Sequence, residues 1–298
     1  MTPITLPHAT LGRTGVIVSK LGFGSMQLHR AQLDPADTDR LLNAVLDVGI
    51  NVIDTSPDYG AAEGHIGRAI SHRRDEYFLA SKCGCPVGVE VTGRTPHVYS
   101  RENVRGGVEQ SLSRLRTDHL DLVQFHVSPS PETLAEDDSV AELLALRDEG
   151  KVRFLGMSGT LPHLPDQIAM GVFDVFQMPY SAVQREYEDL VTAAARSGAG
   201  TIVRGGMGGG LPKTRDVPEP HKSEIEDRRR RFDRADLSDL LDGMSVMDLM
   251  LRFTISHPDL HTTIVGTGKY EHLAANLAAA EQGPLPTDVY EEMKRRFT

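Results

Sequence analysis

Eight short apolar runs recur along this chain, each followed by a stretch with helical periodicity. That alternation restricts the fold more than any other feature. The runs are KLGFG (20–24), NVID (51–54), YFLAS (77–81), LDLVQFH (120–126), RFLGMS (153–158), VFQMP (175–179), GTIVR (200–204) and TTIVG (262–266). They are short and mostly apolar, as strands covered on both faces should be. Between them, DTDRLLNAVLDVG sets Leu41, Leu42, Val45 and Val48 on one stripe. In SRENVRGGVEQSLSRL, Ser100 is a candidate N-cap, and Val104, Val108, Leu112 and Leu115 share a face. SVAELLALRDEG and EDLVTAAARSG each end at a glycine suited to a helix C-cap. Eight βα units closing on themselves describe an α/β fold, a (β/α)8 TIM barrel over residues 1–298 as a single domain. A doubly wound sheet is the alternative.

Two segments fall outside the repeat. LPHATLGRTGVIVSK, with Gly-Arg-Thr-Gly between β-type residues, reads as an N-terminal β-hairpin across the N-terminal end of the barrel. Residues 205–243 form a loop after strand 7 that is long for a βα connection, and such loops are functional or mobile. Its Arg228–Arg231 run reads as a solvated helix face rather than a phosphate clamp. PTDVYEEMKRRFT adds a C-terminal extra helix.

Composition narrows the function. A net charge of −10 opposes non-specific nucleic-acid binding. No apolar run approaches the roughly 20 residues needed to span a bilayer. The first residues lack the basic start and apolar stretch of a signal peptide, so no membrane partner and a cytoplasmic location are expected. The two cysteines, Cys83 and Cys85, are separated by one glycine. A disulfide across that gap would be strained, and there is no second pair for a zinc site. Two reduced thiols and no metal are expected.

Ionisable residues at the ends of the strand runs carry the chemistry. Asp54 closes the second run, Lys82 follows the third and His126 closes the fourth, while Tyr59 lies in the loop after Asp54. Barrel enzymes assemble their sites at these strand ends. A phenol is a weak acid, with an ordinary pKa of about 10, and a neighbouring ammonium favours its ionised form. A carboxylate to hold the lysine and a histidine near the phenol complete a device for protonating a carbonyl oxygen.

These blocks carry a resemblance. NVIDTSPDYG, FLASKCG, SLSRLRTDHLDLVQFH, GKVRFLGMSG, VFQMPYS and TTIVGTGKYEHLAANLAAA are similar to the signature blocks of the aldo-keto reductase family, in order and nearly end to end. The resemblance implies hydride transfer between a nicotinamide cofactor and a carbonyl carbon, with a small-molecule carbonyl or alcohol as substrate. It implies Tyr59 as general acid and base, Lys82 lowering its pKa, Asp54 orienting Lys82, and His126 directing the substrate oxygen. A monomer or small homo-oligomer is expected.

The cofactor side departs from the family in places. No Rossmann fingerprint is present, because Gln27 stands where a third glycine would follow Gly22 and Gly24. The resemblance assigns cofactor contacts to Gly24, Ser25 and Met26 after the first strand, and to GGMGGG (205–210), with Gly205, Gly206, Met207 and Gly208. It also assigns them to VGTGK (265–269), with Gly266, Gly268 and Lys269. Ser158 and Gln177 match positions that bind the nicotinamide amide, and Asn276 matches an adenine contact. Gly159 stands where an asparagine is common, Arg204 where a flat stacking residue is common, and His272 where an arginine grips the 2′-phosphate. NADPH is the expected cofactor and NADH the second option, with Lys269 supplying the missing charge. A redox-sensing subunit with slow turnover is the rival from another class; a metal-dependent barrel hydrolase is weaker, since strand one offers no His-x-His. Substrate choice would rest with the loops Met26–Asp34, Gly84–His97 and Ser128–Asp137 and the long segment after Gly205; His29, Arg30, His97 and the nearby Tyr99 could meet a polar substrate.

Overall fold

The computed structural model describes residues 6–30, 33–88, 95–208 and 222–297. Gly209, Gly210 and the segment up to His221 lie outside the described residues, as do parts of the first two specificity loops and the Arg30 side chain. Ten strands are present among the described residues: β1 (His8–Thr10), β2 (Ile17–Ser19), β3 (Leu21–Gly24), β4 (Val52–Asp54), β5 (Phe78–Cys83), β6 (Leu120–Phe125), β7 (Val152–Ser158), β8 (Val175–Pro179), β9 (Gly200–Arg204) and β10 (Thr262–Val265). β3 to β10 pair in sequence order, all in parallel, and β10 closes onto β3. Each is one of the eight apolar runs, shifted by at most two residues. One correction matters for the site: β5 runs to Cys83, so Lys82 lies inside a strand rather than after it.

Strand alternation sorts the side chains. Val52, Phe78, Ala80, Leu122, Val175 and Ile202 point inward and form an apolar floor near the N-terminal ends of the strands. Two residues further on, the same inward face presents Asp54, Lys82, Gln124 and Gln177. The opposite faces, such as Ile53, Leu79, Val123 and Phe176, pack against the surrounding helices in the main core. Among those helices, Pro35–Asp47 buries Leu41, Leu42 and Val45, and Arg101–Leu115 is capped by Ser100 accepting from Asn103 N at 3.4 Å.

β1 and β2 form the expected antiparallel hairpin. Leu11, in its turn, completes the apolar floor. Gly12 makes that approach feasible: its φ is +49°, and a Cβ there would sit 2.3 Å from Gly200 N. The Arg13 amide then donates to Gly198 O at 2.7 Å, tying the hairpin to the start of β9. The extra helix Thr287–Arg296 is also present, held by an Arg296–Asp239 ion pair at 2.6 Å and by Tyr290 packed on Phe253. Within the long segment, a helix spans Lys222–Ala235. Its Arg229 and Arg230 are exposed beside Asp233 and Asp227, as a solvated face should be, while Arg228 lies close enough to Arg204 to disfavour its charge. No helix among the described residues is long and apolar enough to cross a membrane.

Candidate active site

Asp54 is the hub of the site. It ends β4, is buried, and receives Lys82 Nζ at 2.8 Å on Oδ1. Its Oδ2 accepts from Gln177 Nε2 at 2.8 Å and Gln124 Nε2 at 3.2 Å. Lys82 Nζ also donates to Thr55 O at 2.8 Å. Ser158 Oγ reaches Gln177 Oε1 at 3.4 Å, so β4, β5, β6, β7 and β8 each contribute one member of a single polar network. An ion pair this deep is stable only when its remaining valences are met by hydrogen bonds, which the two glutamines supply. Gln124 was not among the candidates singled out from sequence. The signal was there: it lies two residues before His126 in the same apolar run and two after the inward-facing Leu122.

Tyr59 and His126 stand above this network. The Lys82 ammonium is 5.0 Å from the Tyr59 ring centroid, and the His126 ring meets the Tyr59 ring edge-on at 6.3 Å. The turn that carries Tyr59 is short, with its amide donating to Ser56 O at 3.1 Å, so the phenol is placed directly from the end of β4. His126 is fixed from behind by Tyr99, whose hydroxyl donates to the His126 carbonyl. Asp58, Cys85 and His97 complete this rim: Asp58 Oδ2 lies 3.5 Å from His126 Nδ1 and Cys85 Sγ lies 3.6 Å from His97 Nε2.

The electrostatics follow from burial and these neighbours. Burial lifts the Tyr59 phenol, and Lys82 pulls against it without reversing it, so its net direction is upward and the hydroxyl keeps its proton at neutral pH. Lys82 thus acts on the phenol in the expected direction, lowering it relative to its buried setting, while burial keeps it above its ordinary value. Burial opposes the charge of Lys82, yet Asp54 and then Tyr59 outweigh it and hold the ammonium above its ordinary range. Burial, followed by Lys82 and His97, pushes His126 well down, leaving a neutral imidazole. Burial pushes the Cys85 thiol up to about 12 and the Cys83 thiol well above its ordinary value, so both are protonated and poorly reactive.

Around this centre, the residues assigned to the cofactor fall into two groups. Ser158 and Arg204 end β7 and β9, and Gln177 lies midway along β8, within the network itself. Arg204 is half-buried, with burial lowering it and Tyr59 and Tyr187 favouring its charge; no described carboxylate pairs with it. Gly205–Gly208 turn immediately after it, Gly208 N donating to Gly205 O at 2.8 Å, with Met207 packed on the core. Gly206 O accepts from Thr254 Oγ1 at 2.7 Å. The second group lies beside the β10–β3 seam: Gly24, Ser25, Met26, Gly266, Gly268, Lys269, His272 and Asn276. A Cβ on Gly266 would come 2.8 Å from Gly24 O and 3.0 Å from Gln27 Cγ. Lys269 and His272 are exposed at the start of helix Tyr270–Glu281, and Asn276 is buried further along it. None of this second group bonds to the catalytic set, apart from Ser25, whose amide donates to Asp54 O at 2.9 Å.

The fit to a nicotinamide dinucleotide rests on two details. The buried Ser25 Oγ and Gln124 Oε1 have no hydrogen-bond partner. The glycine pair at the β10–β3 seam keeps backbone open beside a helix N-terminus, where an anion is favoured. Gly159 has its own explanation. A Cβ there would be 2.6 Å from Leu164 Cδ1 and 2.8 Å from Gln167 Oε1, so the room an asparagine would need is taken by the buried Gln167.

Comparison with known proteins agrees with this geometry. The sequence model of the Aldo/keto reductase family matches residues 20–296. The chain is 27% identical over 298 residues to L-galactose dehydrogenase of Arabidopsis thaliana, covering 95% of this chain and 90% of that protein. It is 30% identical over 205 residues to the NADH-specific methylglyoxal reductase of Escherichia coli, covering 62% of each. The holo form of an aldo-keto reductase from Bacillus halodurans superposes with a TM-score of 0.82 at 25% identity, over 98% of this chain and 96% of that one.

Proposed function

This chain belongs to the aldo/keto reductase family, and from that premise we infer that it is an NADPH-dependent oxidoreductase reducing an aldehyde or ketone to an alcohol, or running the reverse. One observation carries the reading: the buried Lys82–Asp54 ion pair at 2.8 Å, with its ammonium 5.0 Å from the Tyr59 ring and a neutral His126 against the same ring. When bound, the nicotinamide supplies the hydride. The chain's share is to orient the carbonyl and deliver the proton. Tyr59, protonated at neutral pH, donates to the carbonyl oxygen. Lys82 favours the phenolate left behind, and Asp54 keeps the ammonium in place. His126, uncharged, can donate a hydrogen bond to the same oxygen without adding a competing positive charge. Ser158 and Gln177 would hold the amide of the nicotinamide, and Asn276 the adenine. The Gly205–Gly208 turn and the Gly266–Lys269 strand end would hold the phosphates. Lys269, whose described partner Glu271 is 3.8 Å away and exposed, is free to reach a 2′-phosphate, which supports NADPH. The planar Arg204 can stack on an uncharged reduced ring.

The test is single-turnover oxidation of bound NADPH by a reactive aldehyde, followed by nicotinamide absorbance, in the parent protein and in Tyr59→Phe. The parent should turn over. The variant should bind cofactor normally and lose at least about a hundredfold in the reductive step, the lower range for removing a positioned proton donor. A Tyr59→Phe protein retaining most of its rate would remove Tyr59 from its role, and no decay with any carbonyl would overturn the reductase reading.

A further inference from the structure

A second constellation lies on the rim of the site, formed by Asp58 after β4, Cys85 after β5, His97 ahead of helix Arg101–Leu115 and His126 after β6. His126 Nδ1 is 3.2 Å from His97 Nε2 and 3.5 Å from Asp58 Oδ2. Cys85 Sγ is 3.6 Å from His97 Nε2 and 3.9 Å from His126 Nδ1. All four donor atoms lie within 4.8 Å of one another. Zinc bonds of about 2.0–2.1 Å to nitrogen and oxygen and about 2.3 Å to sulfur set tetrahedral ligands roughly 3.3–3.6 Å apart. The four separations above fall within about 0.3 Å of those edges and the other two are no longer than 4.8 Å, so a modest movement of Asp58 would close the donors on one ion.

We propose that Asp58, Cys85, His97 and His126 form a binding site for a zinc-class divalent ion. The donor chemistry selects the metal. One thiol and two imidazoles suit zinc, whereas magnesium and calcium prefer oxygen alone. The surroundings resemble a supported site: Ser56 Oγ holds Asp58 Oδ1 at 2.5 Å, leaving Oδ2 towards His126, and the Tyr99 hydroxyl fixes the His126 backbone. Asp58 and His126 side chains are each 14% exposed, so an ion has a way in from solvent. Binding forms the metal–sulfur bond and releases the Cys85 thiol proton to solvent; nothing is oxidised or reduced. The cysteine spacing alone excluded such a site, because its other ligands come from three separate loops. An occupied site would tie His126 to the metal and act against carbonyl reduction. That consequence rests on the reductase reading, whereas the binding does not.

The experiment titrates reduced, EDTA-stripped protein with Zn2+ by calorimetry and with Co2+ as a spectroscopic substitute. One ion per chain is expected, with intense visible bands of tetrahedral Co2+ and a thiolate-to-cobalt charge-transfer band. Cys85→Ser should abolish the charge-transfer band, and His97→Ala should weaken Zn2+ binding at least about tenfold. Circular dichroism checks that each variant is folded; if Cys85→Ser is not, His97→Ala carries the comparison. Absence of Zn2+ binding, the weak spectrum of six-coordinate Co2+, or a tight site unchanged by the substitutions would overturn the proposal. Because neither readout needs turnover, failure here leaves the reductase reading standing.

Discussion

Lys82→Met is the substitution whose cost is most directly worked from the geometry. Lys82 and Asp54 are almost completely buried and 2.8 Å apart. Removing the ammonium leaves a buried carboxylate held only by Gln177 at 2.8 Å and Gln124 at 3.2 Å. Breaking a buried pair on one side costs about 3–5 kcal/mol, which for a chain of this size is a fall in Tm of roughly 5–8 °C. Asp54→Asn/Lys82→Met removes both charges while keeping the volume, and such paired replacements are close to neutral. The double variant should therefore recover most of the stability and none of the catalysis. The pH dependence has a definite sign. Lys82 is held above its ordinary value of 10.5, so its contribution is complete below that pH and is lost as pH rises through the folded-state value. The stability gap between parent and Lys82→Met should be constant across neutral pH and close only in strong alkali. Urea unfolding of the four proteins in the cycle measures all of this. A single variant costing under about 1 kcal/mol, or a double variant no more stable than Lys82→Met, would refute the buried-pair reasoning.

Other expectations follow from particular contacts. Gly12→Ala places a Cβ 2.3 Å from Gly200 N at φ +49°, whereas Gly15→Ala, at φ +70°, meets nothing within 4 Å. Thermal unfolding should show a loss of roughly 2–4 kcal/mol for the first and about 1–2 kcal/mol for the second, and equal losses would mean that the hairpin does not seat on β9 as described. Because burial holds the Tyr59 phenol above its ordinary value of 10.0, the reductive rate should be flat through neutral pH and fall only in alkali. A rate falling between pH 6 and 8, roughly the range in which an ordinary histidine titrates, would give the proton to another group. Lys269→Ala should raise the Kd for NADPH about five- to twentyfold and leave NADH unchanged, as a lost charge-assisted phosphate contact requires; equal losses would move that contact elsewhere.

The repeat of short apolar runs and amphipathic stretches determined the barrel, because a strand covered on both faces and a helix covered on one leave patterns that depend only on local spacing. The identities of Asp54, Tyr59, Lys82 and His126 were legible for a related reason: charge at the end of an apolar run is costly and stands out. Three things had to come from the closed barrel. Gln124 and Gln177 share Asp54 from strands about 70 and 123 positions away from it, a pairing fixed by strand register rather than by neighbouring sequence. The net upward direction of Tyr59 depends on how deeply the closed barrel buries the phenol, which no motif states. Asp58, Cys85 and His97 are unremarkable one by one, and they converge with His126 only because consecutive strands end side by side. Sequence specified which groups the chain could offer; the closed sheet decided which of them meet.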